Sequence, residues 1–182
     1  MTYSIVHNLV RLLILLVVQV LLCNNIHIFG YATPLLITYV LISMEKGTGR
    51  ISLLLWGFFT GLLYDMFSNT AGMASAGMTL LAMVLPEVLA SFCSHDEEEH
   101  IIPSASNMGF WSFAAYTFMC MFVVHAVFYL LDAFMLSNFR LTLLSTFAGT
   151  VLATVFALFV DMIVNSSKDL KWREVHLKAG NM

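Results

Sequence analysis

Ionisable side chains are scarce in this chain, and those that interrupt its apolar runs are the first candidates for chemistry. In Gly57-Phe-Phe-Thr-Gly-Leu-Leu-Tyr-Asp-Met-Phe-Ser-Asn-Thr-Ala-Gly72, two glycines four apart precede an aspartate four further on. On a helix advancing about 100° per residue, Gly57, Gly61, Asp65 and Ser68 project at about 0°, 40°, 80° and 20°, with Tyr64 at about −20°. They form one narrow stripe. Small residues let a second helix approach closely enough for van der Waals packing, which in lipid replaces the hydrophobic drive. The run Ala71-Gly-Met-Ala-Ser-Ala-Gly77 that follows is nearly all small, so the two are expected to pack as an antiparallel hairpin. Two readings of Asp65 are open. It caps the hairpin, accepting hydrogen bonds from Ser68, Asn69 or the free amides of the next helix start; or the stripe, with Gly72 and Ala76, lines an outward-facing cleft for a partner's helix or a ligand.

Other candidates carry less. His125 and Asp132 lie two helical turns apart on nearly one face, the residue types of a proton relay. Two such groups make no catalytic constellation, and no Ser-His-Asp order, zinc motif or phosphate loop accompanies them. A packed or water-contacting histidine is expected, with no catalytic residue, metal or cofactor. The run His95-Asp-Glu-Glu-Glu-His100 has metal-ligand types without the His-Glu-x-x-His spacing, and reads as a solvated acidic loop. Cys23, Cys93 and Cys120 show no metal-like spacing and fall at three membrane depths, which argues against a disulfide framework.

The elements that must position these residues follow from composition. Of 182 residues, 60% are apolar and only 10% charged, far from the mix of a soluble domain. A net charge of −3 without clustered Lys and Arg excludes a nucleic-acid surface. An all-α membrane protein is expected, and because a bilayer core takes about 20 apolar residues per helix, six spans are placed at roughly 6–24, 31–45, 51–67, 72–92, 107–132 and 139–165. The second is the least secure, since it starts near Gly30 and Pro34. Arg11 before an apolar run resembles a signal peptide, but no small-x-small cleavage site follows, and Leu22 before Cys23 spoils a lipoprotein box. An uncleaved first helix is expected, within one six-helix domain over 1–166. Residues 167–182 form a basic, aromatic tail whose Trp172 and flanking Lys and Arg suit the headgroup layer.

With the amino terminus cytoplasmic, Arg11, Lys46, Arg50, Lys168, Lys171, Arg173 and Lys178 fall on the cytoplasmic side and only Arg140 outside, as the positive-inside rule prefers. Asp65, Asp132 and Arg140 then come to the outer ends of helices, and Arg11, Glu87 and Asp161 to inner ends. Because unpaired intramembrane charge is costly, the expected ion pairs are Arg140 with Asp65 or Asp132, and Arg11 with Glu87 or Asp161.

Phe29-Gly-Tyr-Ala-Thr-Pro-Leu-Leu36, the stretch Gly57–Gly72, and Thr79-Leu-Leu-Ala-Met-Val-Leu-Pro86 carry a resemblance over the whole chain. It resembles the MreD family of bacterial rod-shape-determining membrane proteins, in texture closest to the Bacteroidetes-type members. It departs from the common Pro-Gly after the turn, having Ala71 before Gly72. The resemblance implies a non-enzymatic scaffold in the bacterial inner membrane, both termini cytoplasmic. It would bind MreC and work alongside MreB, RodA and its transpeptidase partner in cell elongation and peptidoglycan synthesis. It also implies a bundle similar to the substrate-binding subunit of energy-coupling-factor transporters. A small-molecule-binding transporter subunit using the same cleft is the alternative, since fold alone does not establish function. An intramembrane enzyme with Asp65 or His125 as base lacks a second catalytic group.

Overall fold

The computed structural model describes residues 2–19, 34–93, 102–133 and 139–179, with side chains over 8–19, 34–93, 102–132, 140 and 142–164. Cys23, the His95–His100 run and the side chains of the basic tail lie outside the described residues. The described chain is helical without strands. Its elements are α1 (Thr2–Val18), a 3-10 turn (Leu36–Thr38) running into α2 (Tyr39–Ile42), α3 (Arg50–Ser68), α4 (Met73–Phe92), α5 (Ala105–Met108), α6 (Phe110–Ala133) and α7 (Phe139–Ala179). Four helices are long and apolar enough to cross a membrane: Arg50–Ser68, Met73–Phe92, Phe110–Asp132 and Thr142–Val164. They match four of the six expected spans. α7 runs past residue 166 without a break, so the boundary expected there lies inside one helix.

The second expected span is corrected. Where 31–45 was to form one helix, the described part holds only Leu36–Ile42, roughly 10 Å of rise against a hydrocarbon core of about 30 Å. Both ends have local causes. Pro34 lacks an N–H and disfavours helix before it, and Leu35 sits outside helical geometry at φ −88°, ψ 68°. At the other end the Ser43 hydroxyl donates to Tyr39 O and Val40 O, and Gly47 turns the chain at φ 90°. A serine hydroxyl that binds nearby carbonyls competes with helix continuation.

Helices α3, α4, α6 and α7 pack in that order, and the segment Pro34–Met44 lies against α1, α3, α6 and α7. That segment is buried throughout. α1 turns Leu12, Leu15 and Leu16 to the core and Leu13, Ile14 and Val17 outward, the period of a one-sided helix. Outward-facing Phe59, Met66, Met83, Trp111, Phe159 and Met162 are all exposed, the surface expected of helices solvated by lipid rather than water.

Small residues set the helix spacing. A Cβ on Gly61 would lie 2.3 Å from Ser75 Cα, and one on Gly57 2.8 Å from Met78 O, so α4's backbone occupies the place of both side chains. On α7 the buried Ser145, Gly149, Ala153, Ala157 and Asp161 recur every fourth residue. A Cβ on Gly149 would meet the His125 ring at 2.7 Å. The hairpin turn uses Asn69 at φ 54° and Gly72 at φ 80°, the residue types that accept left-handed backbone.

Gly61→Ala forces α3 and α4 apart and is expected to cost about 1–3 kcal/mol, the usual range for overpacking. Gly49→Ala, where a Cβ meets nothing within 4 Å, is the control. Thermal unfolding of both variants in detergent checks this; equal midpoints would show that the α3–α4 contact is not tight.

Candidate functional site

Asp65 is 5% exposed. Its Oδ1 accepts from the Thr70 hydroxyl and from Ala74 N–H at 3.1 Å, and its Oδ2 accepts from Ser75 N–H at 2.9 Å. Gly72 is the N-cap of α4 and has no side chain to cap with. Ala74 and Ser75 carry the second and third helical amides, those an N-cap side chain normally satisfies. Asp65 therefore supplies the missing cap from the preceding helix. The positive end of α4 also gives the carboxylate a partial positive partner.

The second polar cluster surrounds Pro34–Met44. Gln19, fully buried, donates from Nε2 to Pro34 O at 2.8 Å and accepts Leu36 N–H on Oε1 at 2.7 Å. His125, also fully buried, has Nδ1 at 2.8 Å from Met121 O and Nε2 at 3.4 Å from Leu35 N. A carbonyl only accepts and an amide only donates, so these partners assign the neutral Nδ1–H tautomer. At the other end, Arg11 donates to the Ser43 hydroxyl and carbonyl, and the Tyr116 hydroxyl donates to Ile42 O. Asp161, 1% exposed, accepts from the Tyr39 hydroxyl at 2.8 Å and from Ala105 N–H at 3.0 Å. Backbone that breaks helical bonding away from water must find partners within the protein, and here Gln19, Arg11 on α1 and His125 and Tyr116 on α6 provide them, while Asp161 on α7 holds the Tyr39 side chain.

Comparison of the chain with protein-family models, with characterised proteins and with solved structures finds no match. The reading of the site rests on its geometry.

The structure brings some of the sequence candidates together and separates others. Gly57, Gly61 and Asp65 lie buried beneath α4, and Gly72 starts α4 above them. Ser68 is half-buried at the helix end. Ala76 is exposed and turned away from the stripe, toward Phe58 and Leu80. Three expected ion pairs are corrected. Among the described residues, neither Asp65 nor Asp132 pairs with Arg140, which is exposed at the start of α7; Asp65 is occupied by two amides and a hydroxyl. Glu87 pairs with Arg50 at 2.8 Å rather than with Arg11. The antiparallel hairpin sets the start of α3 beside the end of α4, while Arg11 serves the carbonyl end of α2, where a cation complements the helix dipole.

Gln19, Tyr39, Tyr116 and Gly149 were missed from sequence. A glutamine inside an apolar run, at Val18-Gln-Val20, was the available signal, because an amide in lipid requires partners. Gly149 could have been found by extending the four-residue spacing back from Asp161.

Gln19→Leu removes both bonds to the 34–36 backbone and leaves Pro34 O and Leu36 N–H buried without them. At about 1–3 kcal/mol per stranded group, a loss of roughly 2–6 kcal/mol is expected in chemical or thermal unfolding. A loss no larger than that of an exposed control such as Ile14→Ala would show that the clamp does not hold the segment.

Proposed function

We propose that the protein is a non-enzymatic, MreD-type scaffold subunit of the bacterial cell-elongation complex, holding MreC in the inner membrane and, through it, supporting cell shape and peptidoglycan synthesis. The observation that carries the reading is the use of the buried polar groups. Asp65, Asp161, Gln19 and His125 all bind backbone of this chain, as parts of a framework rather than as free acids or bases aimed at a substrate. The broad apolar exterior of α3, α6 and α7 offers surface for helix association by close packing. The Gly-Tyr-Ala-Thr-Pro and Asp65–Gly72 stretches support the family assignment.

On this reading the chain sits in the inner membrane with both termini cytoplasmic, as its Lys and Arg distribution favours. The buried Pro34–Met44 segment stands in for the second of six membrane segments. The bundle is of the type found in the substrate-binding subunits of energy-coupling-factor transporters, and MreB, RodA and its transpeptidase partner join through MreC.

Affinity-tagged protein co-expressed with full-length MreC and extracted in mild detergent is expected to co-elute with it in stoichiometric amount. A chain that ignores MreC and binds a vitamin-like molecule tightly would replace the scaffold by a transporter subunit. Asp65→Asn puts an amide NH2 against an amide N–H, so it is expected to lower the unfolding midpoint, by about 1–3 kcal/mol in stability, while MreC still co-elutes. Loss of MreC with an unchanged midpoint would assign the Asp65 charge to the partner.

A further inference from the structure

On the outer side of the α3–α4 hairpin runs a groove of about 440 Å³. Its base is small, built of Ser75, Ala76 and Thr79, and its walls are Phe58, Leu80 and Met83. The walls are exposed. The groove is an open trough rather than an enclosed pocket. Arg50 stands one helical turn before Leu54, which also lines the groove, and Glu87 one turn after Met83. On α4, Glu87 shares a face with Met83, Leu80 and Ala76, all within about 40° of it in helical projection.

The Arg50–Glu87 pair is joined by a single contact, Nη2 to Oε1 at 2.8 Å, with the side chains 76% and 57% exposed. Exposed pairs of this kind contribute little to stability. The guanidinium has five N–H donors, and among the described residues this one bond is all it makes, leaving Nε, Nη1 and Glu87 Oε2 open. Both signs of charge, each with spare hydrogen-bonding capacity, therefore stand at the end of an apolar trough.

We propose that this groove binds one phospholipid with a zwitterionic, primary-amine headgroup. An acyl chain lies over Ala76 and Thr79, the phosphate takes the Arg50 guanidinium, and the ammonium donates to Glu87. Arginine recognises phosphate through its planar fork, and a primary ammonium has three donors for a carboxylate. An anionic lipid without an amine gains Arg50 but meets Glu87 as a like charge. A quaternary ammonium has no N–H to donate. A docked helix, about 10 Å across with its side chains, needs a base of small residues continued along the helix. Here Leu80 and Met83 rise from that line within two turns.

Native mass spectrometry of the full-length protein, released from detergent with phosphatidylethanolamine, phosphatidylglycerol or phosphatidylcholine at equal concentration, tests this. One retained phosphatidylethanolamine is expected, with the other two held about tenfold more weakly, the loss of one charge-assisted contact. Arg50→Gln and Glu87→Gln should each weaken phosphatidylethanolamine about tenfold, and Ala76→Phe should abolish its retention by filling the trough. The double exchange of Arg50→Glu with Glu87→Arg keeps an ion pair. It should leave the lipid-free unfolding midpoint unchanged while the preference for phosphatidylethanolamine disappears. Equal retention of the three lipids, or unchanged binding in Ala76→Phe, overturns the proposal. So does a photo-crosslinker at position 76 that captures a protein helix in native membranes rather than lipid.

Discussion

The rest of the structure depends on one constraint: the backbone of Pro34–Met44 has left the regular helix in a place where water does not reach it. Each amide or carbonyl freed there costs several kcal/mol unless it finds a partner. The chain meets this demand with side chains from distant parts of the sequence. Gln19 lies 15 to 17 residues from the groups it binds and His125 lies 90 from Leu35, while Asp161 holds the segment through the Tyr39 side chain, 122 residues away. These bonds explain why α1, α6 and α7 converge on a seven-residue helical piece that could not span a bilayer. They also account for polar residues within otherwise apolar helices. Gln19, His125, Asp65 and Asp161 each mark backbone that needs a partner.

The hairpin solves a smaller version of the same problem. A glycine at the N-cap allows the tight left-handed turn but leaves the first amides of α4 uncapped, and Asp65 reaches across to close them. That arrangement is possible only because Gly61 lets α3 approach α4 until a Cβ would overlap Ser75. Glycine and aspartate are thus parts of one device: close approach brings the carboxylate to the amides, and the amides let the carboxylate stay buried without a cation. Of the expectations for Asp65, the amides of the next helix start are the partners it finds, and with backbone dipoles meeting the need locally no pair with Arg140 forms.

Legibility in the sequence followed the range of the interactions. The hairpin was readable because its signals are local and periodic: glycines four apart, an aspartate one turn on, a run of small residues after the turn. The four long helices were readable because composition and length set them. The 34–44 segment was not. Leu35–Ile42 has the composition of a helix, and what decides its shape lies elsewhere in the chain: Gln19, the Tyr116 hydroxyl, the Asp161 carboxylate that holds Tyr39, and a histidine whose role depends on room left by Gly149. No window along the chain contains that information. Ala76 parts from the Gly57–Asp65 stripe for a related reason: it belongs to the same small run, but its turn of the helix faces outward.

Placement of the remaining charge then acquires meaning. A chain that binds its buried carboxylates so fully to its own backbone has little reason to leave two ionic side chains loosely joined at the end of an apolar trough. Arg50 and Glu87 contribute little to the hairpin by pairing, since the pair is exposed and single-contact. Neither side chain caps a helix end: among the described residues each bonds only to the other. Their unspent donors and acceptor belong to residues one turn beyond Leu54 and Met83, which line the groove. In a chain whose other described carboxylates include two held entirely for internal structure, that outward pair is the feature best suited to reading the chemistry of the surrounding lipid.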